Sequence, residues 1–93
     1  MNQEAQEIAI KMASEVEKAQ DRLIQAHKTI CDREGENEFT ETIERMISTG
    51  MTMLMLLAAI FEGSEPASDE AFADFQEFVN ISNNVWRVVM QSK

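Results

Sequence analysis

The chain has 93 residues, with seventeen acidic against eight basic side chains and a net charge of −9. So negative a balance excludes the basic surface that sequence-independent binding to DNA, RNA or an anionic membrane requires. Gly, Pro and aromatic residues are few, while Ala, Glu, Gln, Met and Ile are plentiful, which predicts one all-α domain over 1–93.

The first element is a helix over about 4–31. Ala5, Ile8, Met12, Val16, Ala19, Leu23, Ala26 and Ile30 recur every three or four positions, the helical period. Such a helix runs ~42 Å. A compact globule of this chain length is only about 30–35 Å across. Helix one therefore overhangs a compact monomer, kinks, or packs along a symmetry mate, and the last is the expectation. Cys31 is the single cysteine, so no intrachain disulfide forms, which suits a reducing compartment. The N-terminal residues are acidic where a secretion signal is basic. Both point to the cytoplasm.

Asp32 to Glu38 is the first break, centred on Gly35. Asn37 and Thr40 are the candidate caps of helix two, expected over 39–62. Its first half is amphipathic: Phe39, Ile43, Met46 and Ile47 oppose Glu41, Glu44 and Arg45. Its second half, Met51 to Phe61, is interrupted by Thr52 alone. At about 100° per residue this run is apolar on every side, and it is too short for the ~20 apolar residues of a membrane span. Burial between neighbours is therefore expected. Gly50 divides the halves and marks a close helix crossing or a kink.

Gly63 reads as the stop of helix two. Ser64 or Ser68 caps helix three, expected over 68–91, with Asp69 and Glu70 in its first turn. Phe72, Phe75, Val79, Trp86 and Met90 form one stripe. Ala71, Phe78, Val85 and Val89 form another, and Ile81 and Val88 lie farther round. The prediction is an up-down-up three-helix bundle with more apolar surface than three helices hide. That surplus predicts a helical homo-oligomer, most simply a two-fold dimer. The expected interface is Met51, Met53, Leu54, Leu57, Phe78, Val85, Trp86 and Val89.

Two runs of acids stand out. One is Glu62, Glu65, Asp69, Glu70, Asp74 and Glu77; the other is Asp32, Glu34, Glu36 and Glu38, continuing to Glu41 and Glu44. Helix N-termini and a solvated surface account for many of them. Together they also make candidate patches for a basic protein groove, imitating nucleic-acid phosphates.

Chemistry-bearing patterns are sparse. His27 and Cys31 are one helical turn apart but form only an isolated pair, short of a metal site. The methionines are at helical spacing and read as core, with a Met-lined groove for a partner helix as the other use. No Gly-rich phosphate loop or nucleophile set is present. Carboxylate pairs at i,i+3 occur at Glu4/Glu7, Glu41/Glu44, Glu62/Glu65 and Asp74/Glu77. They resemble the Glu-x-x-Glu pairs with which all-helical nucleotide pyrophosphohydrolases hold Mg²⁺. That resemblance implies a Mg²⁺-dependent nucleotide hydrolase. Against it, Glu62/Glu65 straddles Gly63, and no Lys, Arg or aromatic residue holds an evident substrate position.

The sequence thus points to a non-enzymatic acidic module needing no cofactor. Its expected partners are itself and a basic protein target, not nucleic acid or membrane. A phage-type or bacterial inhibitor of a nucleic-acid-binding protein is the concrete form. A helical chaperone or assembly factor, and the hydrolase, are the alternatives.

Overall fold

A computed structural model describes residues 3–91 and contains three helices, α1 (Gln3–Glu34), α2 (Glu38–Glu62) and α3 (Asp69–Gln91). Each helix end has a local cause. Gly35 takes a left-handed φ of 76°, and its N–H reaches the Cys31 carbonyl at 3.0 Å, closing α1. Asn37 caps α2 reciprocally: its Oδ1 accepts from the Thr40 N–H at 3.0 Å, and Thr40 Oγ1 accepts from the Asn37 N–H at 2.9 Å. Gly63 ends α2 at φ 86°, a conformation that side chains with a Cβ resist. Ser68 caps α3 by accepting from the Ala71 N–H at 3.1 Å.

The cross-chain bonds establish the topology. Gln6 bonds to Phe61, Gln20 to Ile47 and His27 to Glu44, so α1 and α2 run antiparallel. Arg22 bonds to Asn83 and Gln25 to Trp86, so α1 and α3 run parallel. The up-down-up order expected from the short connections is therefore present. α1 is the spine: it packs along both other helices, whereas α2 and α3 barely approach each other.

The spine's sequence explains this. Ala9, Val16, Leu23 and Ile30 recur every seven residues and are buried, joined by Ala19 and Ala26. Three of the six are Ala, which lets two helix backbones come close to one side of α1. The buried residue in its second turn is Ala9, where the expected seam passed through the partly exposed Ile8. A seven-residue register, slightly tighter than a free helix, moves the seam by that one position.

The molecule is a rod of 49 × 19 × 17 Å with a radius of gyration of 14.7 Å. This corrects the argument from helix length. A bundle of long helices elongates instead of rounding, and α2 and α3 cover α1 for most of its length. The length of α1 is therefore no argument for a symmetry mate.

The core is Leu23, Ile30, Ile43, Leu57, Phe75, Phe78, Val79 and their buried neighbours. Gly50 sits in the middle of α2 and is buried. A Cβ there would fall 2.7 Å from Gln20 Cγ and 2.9 Å from Phe78 Cζ. Of the two readings of Gly50, the structure has the close crossing. Gln20 uses the space to donate from Nε2 to the Ile47 carbonyl at 2.8 Å.

Candidate interaction surface

α2 turns only part of its circumference toward α1 and α3. Ile43, Gly50, Leu57 and Ile60 face inward. The opposite side is open: Met51 is 60% exposed, Met55 74% and Leu56 38%. The run expected to be buried on all sides is therefore half uncovered in one chain. Two neighbours can cover only two flanks of a helix, and α2 has no third.

The open face widens onto α1, where Ile10 is 58% and Ile24 53% exposed. Between the helices is a groove of about 320 Å³ lined by Ile10, Ala13 and Glu17 from α1 and Leu54, Ala58 and Phe61 from α2. Exposed apolar side chains scattered singly need no explanation, but Ile10, Leu54, Ala58 and Phe61 line one groove along two adjacent helices.

By length and composition α2 also passes as a helix able to cross a membrane, with a mean hydropathy of 1.4 in its best window and 22% of that window buried. The uncharged stretch is Met46 to Phe61, about 24 Å of helix, against ~30 Å of bilayer hydrocarbon.

The residues expected at an oligomer interface divide. Leu57, Phe78 and Val89 are buried in the core of a single chain. They are unreachable by a second copy unless the bundle opens. Met53, Leu54 and Val85 are half-buried at its edge, and Met51 is free. Trp86 is half-buried against α1, with its ring 5.0 Å under the Arg22 guanidinium and its Nε1 donating to Gln25 Oε1 at 3.2 Å. Trp86 thus joins α1 to α3, while Arg87 turns outward and bonds Asn84 Oδ1 at 3.2 Å.

The topology separates the acids. Glu62, Glu65, Asp69 and Glu70 gather at the α2–α3 connection, with Asp74 and Glu77 one and two turns along α3. Asp32, Glu34, Glu36 and Glu38 gather at the α1–α2 connection, the other pole of the rod. All ten are exposed. The first group makes no ion pair among the described residues. One chain therefore carries two negative poles and no single patch.

Glu44 is committed elsewhere: its Oε1 is 2.9 Å from His27 Nε2, joining α2 to α1. Cys31 Sγ is 3.8 Å from His27 Nδ1. Burial pushes the Cys31 thiol above its ordinary pKa, and Glu36, Glu44 and Asp32 push it the same way. A thiol held in its neutral form is a poor nucleophile and a poor metal ligand. Among the described residues, no three His, Cys, Asp or Glu side chains converge on a possible metal position.

Comparison with protein-family models, curated proteins and solved structures finds no match. The surface must be interpreted from its own chemistry.

One feature escaped the sequence reading. Ser82 is fully buried on α3, and its Oγ has no hydrogen-bond partner. It falls between Phe75, Phe78, Val79 and Val89 on the inward face. Its helical position carried the signal, but its polarity masked it.

Proposed function

We propose that this chain is a non-enzymatic, self-associating acidic module that binds a basic protein target in the cytoplasm. The observation that supports this best is the uncovered face of α2, with Met51, Met55 and Leu56 in water on a helix otherwise used for packing. Full burial of such a side chain is worth roughly 1.5–3 kcal/mol, and covering what remains exposed on these three favours association in proportion. The charge of −9 then sets the kind of target. The exposed poles attract a basic groove and repel nucleic acid. In its concrete form the module is an inhibitor or adaptor that occupies the nucleic-acid channel of another protein.

The test is capture from the native host followed by competition. The captured protein is expected to bind nucleic acid, to be displaced by duplex DNA, and to be lost when Glu65, Asp69, Glu70 and Asp74 are all changed to Lys. Capture indifferent to both DNA and charge reversal overturns the basic-target reading. Magnesium-dependent nucleotide turnover by the pure chain, lost in Glu41→Gln/Glu44→Gln, overturns the non-enzymatic one.

The groove between α1 and α2 supports a second reading, a chaperone that holds a partner's amphipathic helix. Loss of target binding in Ile10→Glu, a position lining that groove on α1, with self-association intact, selects it over the inhibitor.

A further inference from the structure

We infer that α2 pairs antiparallel with α2 of a second copy about a two-fold axis near residues 53 and 54, so that Arg45 of each copy meets Glu62 of the other. The inference rests on the self-association proposed above and specifies its geometry.

The first support is the spacing on the open face. Arg45, Ser48, Thr52, Met55, Ala59 and Glu62 follow one another at intervals of 3, 4, 3, 4 and 3. They form one narrow stripe along the helix, centred on Met55 and Ala59 and flanked on its two sides by the exposed Met51 and Leu56. The stripe is exposed except at the half-buried Ala59, and it runs opposite the face that meets α1.

The second is charge. Arg45 and Glu62 bracket the uncharged stretch Met46 to Phe61. Arg45 has no ion-pair partner among the described residues. An antiparallel two-fold pairing brings these opposite charges together at both ends. A parallel pairing would set Arg45 against Arg45 and Glu62 against Glu62. The last turn of α2 also contains no basic residue, although a helix C-terminus favours a cation. Arg45 of the second copy supplies it.

The third is shape. In this register Ser48 lies opposite Ala59 and Thr52 opposite Met55, so a small residue faces each contact. Thr52 turns its hydroxyl back to the Ser48 carbonyl at 3.3 Å, which leaves its methyl for the seam. Met51 of the two copies lie side by side on one flank of the axis, and Leu56 of the two copies on the other. Glu41, a turn before Arg45, falls beside the connection after Gly63 of the second copy and outside the paired stretch.

The pairing would also bring the acidic α2–α3 connection of each copy to the end of the rod where the other copy has its acidic α1–α2 connection, so raised salt should tighten the dimer.

The experiment is sedimentation equilibrium on the full chain with a charge swap. The native chain is expected to be a dimer, and Met55→Glu a folded monomer by circular dichroism. Arg45→Glu and Glu62→Arg should each weaken the dimer about ten-fold, because symmetry counts each pair twice. The double variant Arg45→Glu/Glu62→Arg should recover most of that loss. A dimer that ignores both reversals, or a double variant no better than the singles, overturns the register and leaves self-association standing. A native chain monomeric up to millimolar concentration overturns self-association itself.

Discussion

Gly50 of α2 and Phe78 of α3 meet ring-to-backbone, with the Phe78 Cζ 2.9 Å from where a Gly50 Cβ would stand. α2 and α3 approach each other little elsewhere. The missing side chain makes room for Phe78 and for the Gln20 amide on α1.

Gly50→Ala should therefore destabilise, although Ala is the better helix former by about 1 kcal/mol. Overpacking a filled site costs roughly 1–3 kcal/mol, and the Gln20 bond to Ile47 is disturbed as well. The net expectation is a loss of about 1–2 kcal/mol in a urea titration. Adding Gln20→Ala should return part of it, since the nearer of the two clashes disappears. A Gly50→Ala variant more stable than the native chain would mean that the crossing relaxes freely.

Ser82→Ala should stabilise by about 1 kcal/mol. A buried hydroxyl without a partner carries its desolvation cost unrelieved, and Ser82 is 0% exposed. The substitution deletes one atom and leaves little void. A fall in the urea midpoint would show that the hydroxyl finds an acceptor in solution.

Arg22 should matter more than a surface arginine. It donates from Nη1 to Asn83 Oδ1 at 2.7 Å and stacks over Trp86. Arg22→Ala removes a charged hydrogen bond and a cation–π contact, a loss of roughly 1–3 kcal/mol. Arg22→Lys should recover less than half, because a point charge cannot bond and stack in one plane. Trp86 fluorescence follows both variants directly.

Cys31 should alkylate slowly at neutral pH. Burial first, then Glu36, Glu44 and Asp32, raises its pKa, so the thiolate fraction at a given pH is below that of a free thiol. The rate-against-pH curve with iodoacetamide is displaced to higher pH and returns in urea. Glu36→Gln should move it part of the way back. The linkage has a definite sign. The unfolded thiol ionises first, so stability owed to this group is intact below the ordinary thiol pKa and declines as pH rises through it.

How much of this was legible beforehand depends on what periodicity can encode. The α1 seam through Val16, Leu23 and Ile30 was visible because one face is apolar and the rest is not. Asn37 and Gly63 were visible because capping and left-handed turns select few residue types. The exposure of Met51 and Met55 was not, because a stretch apolar on every side has no phase. Only the number of neighbouring helices decides which side stays wet. Ser82 was missed for the converse reason, a polar side chain in an inward phase. The acid runs looked like two versions of one feature. The down-stroke of α2 carries them to opposite ends, which residue spacing alone does not express.

α1 makes nearly all of the contacts that hold the bundle together, and it emerges from the ribosome before either companion. The α1–α2 hairpin can close while α3 is still being made, since its contacts are the shorter in sequence. During that interval the side of α1 on which α3 will dock remains uncovered. A chain interrupted in the Ser64–Ser68 connection should thus persist as a sticky hairpin, bound by hydrophobic probes more strongly than the chain carrying α3.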